Sequence, residues 1–207
     1  MDSSGWDERY AAAELVWSAG PNATVEALVA PLAPGRAVDL AAGEGRHALW
    51  LAERGWQVLA VDFSPVALER TARLADQRLG AARDRLRTEV ADVRTWEPGP
   101  AAYDLMLVVF LQLPAPDRAQ ALRRAAAALA PAGRLLVLAH DRSNLTQGVG
   151  GPQDAAVLPT TEQILADLAH DDLVIERAEV IRRPVEVDGV VRYARDALVL
   201  ARRPACG

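Results

Sequence analysis

Short apolar runs of buried-strand length alternate along the chain with stretches whose apolar positions recur at helical spacing. That alternation predicts a parallel sheet covered by helices. Predicted strands fall at Ala37–Ala41, Gln57–Asp62, Leu86–Ala91, Tyr103–Phe110 and Arg134–His140. The fourth is the most apolar, as suits a strand buried on both faces. Between them the pattern predicts helices over Gly45–Arg54, closed by Gly55, over Pro65 to about Leu79, capped by Ser64, and over Pro116–Leu129. The N-terminal stretch from Trp6 to about Leu32 reads as one or two helices, with Asn22 and Thr24 as candidate caps and Pro31 and Pro34 as stops. After the fifth strand come a Gly- and Pro-rich loop (Gly148–Pro159), a helix (Thr161–Leu168) and two long strands, Leu173–Ile181 and Val190–Ala201. Asp188-Gly189 between these two is a hairpin-type dipeptide.

The terminal hairpin changes the picture. Dinucleotide-binding folds end in parallel strands with crossover helices, whereas a hairpin places one antiparallel strand in the sheet. The predicted fold is α/β, a Rossmann-like doubly wound and mostly parallel seven-stranded sheet with a C-terminal antiparallel hairpin and helices on both faces.

Composition narrows the class. The chain has 207 residues, 51% of them apolar, enough for one folded domain with a core. No apolar run approaches the roughly 18 residues that span a bilayer, and the polar, acidic start lacks the pattern of a secretory signal. The expectation is a cytoplasmic protein with no membrane partner. A net charge of −5 argues against sequence-independent nucleic-acid binding. A single cysteine, Cys206, excludes a disulfide framework or a Cys-based zinc site within one chain, and no His-rich metal spacing occurs. Oligomeric state is not readable.

Candidate chemistry concentrates in VDLAAGEGRHA, Val38–Ala48, which runs from a strand through a glycine turn into a helix. Gly43 and Gly45 remove side chains where a ligand must approach the backbone. The run Gly43-Glu44-Gly45-Arg46-His47-Ala48 also fits the dinucleotide fingerprint. Charge separates the two readings. A pyrophosphate at this turn would be repelled by Glu44 and by Asp39. A ligand carrying an ammonium and a sulfonium would not, and an acid at the end of the first strand suits it. About 17 residues after Gly45, Asp62 ends the second strand, where an acid accepts from ribose hydroxyls. Phe63 follows it, placed to pack on an adenine. Asp92 ends the third strand with Val93 beside it, as acceptor and backbone donor for an adenine edge. Val109, Phe110 and Leu111 end the fourth.

These segments, with AVDFSPVAL, ADVRTW, YDLMLVVFLQLP and LAPAGRLLVL, resemble the class I S-adenosylmethionine-dependent methyltransferases over about Ala37–His140. One departure is Ala41, where the family usually has Gly. Within that superfamily the chain looks most like the small tellurite-resistance and thiopurine-type group, through WDERY, GRHA and the ending RRPVEVDGVVRYARDALVLARR. The resemblance implies S-adenosylmethionine as cofactor and S-adenosylhomocysteine as product. It implies cofactor contacts from Asp39, Ala41, Gly43, Gly45, Arg46, Asp62, Phe63, Ser64, Asp92, Val93, Val109 and Phe110. It divides a single domain into an N-terminal helical cap (1–34), a cofactor-binding core (35–140) and a substrate-side loop, helix and hairpin (141–207). Trp6 and Tyr10, spaced to share a helix face, and Trp17 are expected to close over the site.

Methyl transfer from a sulfonium is an in-line displacement with a good neutral leaving group, so positioning and desolvation suffice for a soft nucleophile. A base is needed only when the nucleophile must lose a proton. His140, at the ligand-side end of the fifth strand, is the candidate. Arg142, Arg182, Arg183 and Arg192 would suit an anionic substrate. The expected activity is methylation of a small molecule, with a thiol or a chalcogen oxyanion as the acceptor considered. Two other readings stay open in the sequence, a non-catalytic S-adenosylmethionine-binding protein and a nicotinamide-dependent oxidoreductase.

Overall fold

The structure is a computed structural model that describes residues 20–205. The positions Trp6, Tyr10, Trp17 and Cys206 lie outside the described residues. Seven strands form one sheet in the order β3-β2-β1-β4-β5-β7-β6. The strands are β1 (Arg36–Leu40), β2 (Gln57–Asp62), β3 (Leu86–Val90), β4 (Tyr103–Val109), β5 (Leu129–His140), β6 (Val174–Val187) and β7 (Val190–Arg202). The helices are α1 (Ala23–Val29), α2 (Arg46–Glu53), α3 (Pro65–Arg78), α4 (Ala115–Ala127), α5 (Asn144–Gln147) and α6 (Thr161–Asp167). No helix among the described residues is long and apolar enough to cross a membrane.

The chain falls into two compact units, one running through Trp96 with Tyr103–Leu107, the other made of Glu97–Ala102 and the chain from Val108 onward. In the first, β1 pairs parallel with β2, and β2 with β3. Ala37, Val38, Ala60 and Val61 are fully buried there, and α2 adds Ala48, Leu49, Leu51 and Ala52. Two helices of this unit, α1 and α3, begin where the sequence supplies a side-chain acceptor. Asn22 caps α1 with its side chain, accepting from the Thr24 and Val25 N–H groups. Ser64 caps α3, accepting from Ala67 N–H, with Pro65 in the first turn. Thr24 is inside α1 rather than capping it.

In the second unit β7 runs antiparallel to both β5 and β6. Leu135, Leu136 and Leu138 of β5 and Ala197, Leu198 and Val199 of β7 are buried. The β6–β7 turn is Asp188-Gly189, both left-handed with φ of 52° and 73°, as a two-residue hairpin turn demands. The Thr160 side chain and Gln163 form a capping box for α6. A part-buried ion pair, Arg118 Nε to Asp167 Oδ2 at 2.7 Å, ties α4 to α6.

Candidate functional site

The first unit carries the glycine turn. Its N-cap residue, Gly45, has φ of 73°, and a Cβ there would lie 2.4 Å from Thr71 Cγ2 and 2.7 Å from Thr71 Oγ1. Glycine is therefore required by backbone conformation and by α3 packing against the turn. Gly43 is also left-handed, at 55°. Its N–H donates to Asp62 Oδ2 at 2.8 Å. The Thr71 hydroxyl lies 3.1 Å from both the Gly43 and the Ala67 carbonyl oxygens, so its one proton serves either. Asp62 Oδ1 accepts from Ser64 N–H at 2.9 Å. The buried Asp62 carboxylate thus binds the turn to the start of α3.

Gly45 has no side chain with which to cap α2. Asp39, from the neighbouring strand, supplies the acceptor instead, taking the Ala48 N–H on Oδ2 at 3.1 Å. Asp39 is almost fully buried, and desolvation pushes its carboxyl up to about 7. The Arg46 charge and the Ala48 bond pull it down, and the Asp62 charge adds a further rise. His47 is pushed down to about 3 by burial, with the Arg46 charge next, so it is neutral. Its Nε2 accepts from the Asn22 N–H at 3.3 Å, which places the ring proton on Nδ1. That Nδ1 lies 4.0 Å from Asp39 Oδ2. With a neutral imidazole the contact is not an ion pair.

Glu44 is buried and bridged to Arg70, Nη1 to Oε1, at 2.8 Å. Its charge is balanced within the protein, so the electrostatic argument against a pyrophosphate rests on Asp39 and Asp62 rather than on Glu44. Ala41 adopts φ of 60°, a left-handed conformation in which its methyl is strained. Arg46 opens α2, partly exposed, and Phe63 is half-buried. Ser64 is fully buried and spent on capping. The Asp92 carboxylate is gripped by Arg94, whose Nε lies 3.0 and 2.9 Å from its two oxygens, and this lowers the Asp92 pKa. Val93 is buried, and its N–H makes no hydrogen bond among the described residues.

A second cluster stands in the other unit, at the carboxyl end of β5. The His140 ring stacks on Phe110, with centroids 4.7 Å apart and planes at 29°. Phe110 has φ of 58° and donates its N–H to the Leu138 carbonyl at 2.7 Å, while the buried Val109 precedes it. Asp196 of β7 is fully buried and faces His140, Oδ1 to Nδ1, at 3.2 Å. The distance suits a hydrogen bond, but the approach is off line, and Nδ1 has no aligned partner in this conformation. Arg183 of β6 donates from Nε to Asp196 Oδ2 at 2.6 Å and lies 5.3 Å from the Phe110 ring centre. Gly151 covers the ring, and a Cβ on it would sit 3.0 Å from three His140 atoms.

Three of the arginines considered for an anion pocket are otherwise engaged. Arg142 donates to the Leu158 and Ala155 carbonyls, Arg182 lies over Tyr193, and Arg183 holds Asp196. Arg192 is exposed. Sequence reasoning missed Thr71, Arg70 as the partner of Glu44, Gly151 and Asp196. Only Asp196 carried a signal, as an acid directly before the apolar run Ala197–Ala201.

Residues 37–133 match the methyltransferase domain family. Solved structures share the fold. One is an S-adenosylmethionine-dependent methyltransferase from Methanosarcina mazei, with TM-score 0.68 and 13% identity, covering 90% of this chain and 100% of that one. Another is TehB from Haemophilus influenzae, with TM-score 0.70 and 16% identity, covering 88% and 62%. A third is the 1,6-didemethyltoxoflavin-N1-methyltransferase of Burkholderia thailandensis, with TM-score 0.67 and 24% identity, covering 98% and 87%; that enzyme was crystallised with 1,6-didemethyltoxoflavin and S-adenosylhomocysteine. The chain carries a methyltransferase domain on a seven-stranded α/β fold. The likeness to these structures is one of fold, and the family match places the methyltransferase domain on residues 37–133.

Proposed function

We propose that the protein methylates a small-molecule acceptor, with Asp39, Ala41, Gly43, Gly45, Arg46, Asp62, Phe63, Ser64, Asp92, Val93, Val109 and Phe110 around the cofactor and His140 and Arg142 on the acceptor side. Asp39 suits the ammonium of the cofactor, because a buried carboxylate without a basic hydrogen-bond partner gains most from a cation. The Val93 N–H suits an adenine nitrogen. S-adenosylmethionine, when bound, supplies an electrophilic methyl on a sulfonium. The observation that carries the small-acceptor reading is the enclosure of His140. Its side chain is only 14% exposed, walled by Phe110 and Gly151, which admits a small molecule better than a polymer. The N-methylating Burkholderia enzyme, whose acceptor is a small molecule, is consistent with it.

The test is calorimetric titration with S-adenosylhomocysteine, with NADH as control, in two buffers of different ionisation enthalpy. We expect binding of S-adenosylhomocysteine alone, with proton release near pH 6 that disappears in Asp39→Asn. Affinity should rise with pH through about 7 as Asp39 ionises. Binding without proton release would detach Asp39 from the ammonium. Binding with no turnover on any acceptor would leave a non-catalytic cofactor-binding protein.

A further inference from the structure

We propose that His140 is the proton acceptor of the methyl transfer, that Asp196 is its positioning residue, and that the acceptor is therefore an aromatic hydroxyl or a ring N–H. This rests on the methyltransferase reading and on the acceptor lying against Phe110 and His140.

Asp196 is fully buried, and a buried carboxylate is costly unless its oxygens are engaged. Here the two oxygens are divided. Oδ2 takes the short bond from Arg183 Nε, and Oδ1 faces His140 Nδ1, with Arg183 Nη2 a weaker 3.4 Å away. A carboxylate at Nδ1 holds the ring proton there and leaves the Nε2 lone pair to accept another. It also stabilises the imidazolium that results. The off-line approach tightens as the ring gains charge, as is common for catalytic hydrogen bonds before substrate binds.

The charged groups around the ring are already engaged. Asp196 from β7 faces it, and Arg183 from β6 is bonded to that carboxylate. Asp141, next in the chain, accepts from the Ser143 N–H and hydroxyl, and Arg195 is held on Ser143 Oγ. Arg142 is turned to carbonyls, and the covering loop offers backbone at Gly151. Phe110 keeps its left-handed backbone beside this ring although a bulky side chain pays strain for it, as residues at working sites do. A flat aromatic acceptor fits the stacked pair. A thiolate needs no base, and an oxyanion would have to compete with Asp196 for Arg183.

The step balances. The acceptor O–H or N–H bond breaks and its proton passes to His140 Nε2. The new O–CH₃ or N–CH₃ bond forms as the S–CH₃ bond of S-adenosylmethionine breaks. The products are the methylated acceptor, neutral S-adenosylhomocysteine and an imidazolium that returns its proton to solvent.

The test uses the full chain with S-adenosylmethionine and a series of substituted phenols whose acidities bracket the assay pH. For weakly acidic phenols, His140→Gln should lower turnover about 100-fold or more. For phenols already ionised the loss should shrink towards none, because no proton remains to be taken. Asp196→Asn should show the same dependence on acidity with a smaller loss. S-adenosylhomocysteine affinity, and phenol affinity for that complex, should stay within about twofold in His140→Gln, since a base acts on the barrier rather than on binding. If Asp196→Asn unfolds for want of a partner for Arg183, His140→Gln carries the test alone. A loss of equal size across the series, an unaffected turnover, or methylation of thiols and oxyanions only would overturn the proposal. Failure to bind S-adenosylhomocysteine would instead overturn the methyltransferase reading.

Discussion

Ala41 shows how one methyl group records a compromise. The structure puts it at φ of 60°, a left-handed conformation that favours Gly. Left-handed geometry costs an L-residue about 1–2 kcal/mol, and replacing Ala by Gly loosens the unfolded chain by roughly 0.4–1 kcal/mol. Ala41→Gly should therefore stabilise the protein by about 0.5–1 kcal/mol, read as a rise in the urea midpoint. An unchanged or lower midpoint would show that the methyl makes contacts worth its strain. At this scale the sequence exposed the residues whose type alone is diagnostic: Gly43 and Gly45 in a turn, Asp62 and His140 at strand ends. Pairings were hidden, because Arg70 with Glu44, Thr71 with Gly43 and Asp196 with His140 join positions far apart in the chain. A side chain in isolation does not say which distant atom it meets.

The elements were legible to within a few residues where local signals govern them. Gln57–Asp62 was predicted with its observed ends, and Ser64-Pro65 marked the start of α3. The errors fall where a partner strand overrides local chemistry. β5 begins at Leu129, inside a stretch that reads as a helix end, and beyond its Pro131 the Ala132 and Gly133 backbone bonds to that of Arg203. β6 runs on to Val187 through Arg182-Arg183-Pro184, because β7 pairs with it down to the turn, and a proline is tolerated on an edge strand. The contact of α3 with the glycine turn belongs to this scale too. Gly45→Ala should destabilise the protein by about 2 kcal/mol or more, combining left-handed strain with the collision at Thr71. Adding Thr71→Ala should recover the collision part and leave the strain, a coupling visible in a double-mutant cycle of thermal unfolding. Strict additivity would mean that the turn and α3 do not touch as described.

For the molecule as a whole, two buried groups set opposed responses to pH. Asp39 has its carboxyl raised from 3.8 to about 7, so its contribution to stability is full below 3.8 and is lost as pH rises towards 7. His47 is lowered from 6.5 to about 3, so its contribution is present above 6.5 and is lost as pH falls towards 3. Between 3.8 and 6.5 the two slopes cancel. Asp39→Asn should uncover the His47 slope, with a melting temperature that climbs from pH 4 to 6.5 more steeply than in the parent, measured by calorimetry. Parallel curves would mean that Asp39 is ionised throughout.

The strand order β5-β7-β6 also has a consequence for synthesis. The strand that joins β5 to β6 follows both in the chain, so its two neighbours leave the ribosome before it. Until residues 190–202 emerge, β5 and β6 have no shared partner, and Asp196 is not yet present to meet His140. The nascent second unit must wait with the apolar β5 unpaired on that side, and the arrival of β7 brings the strand and the acidic partner of the histidine into place together.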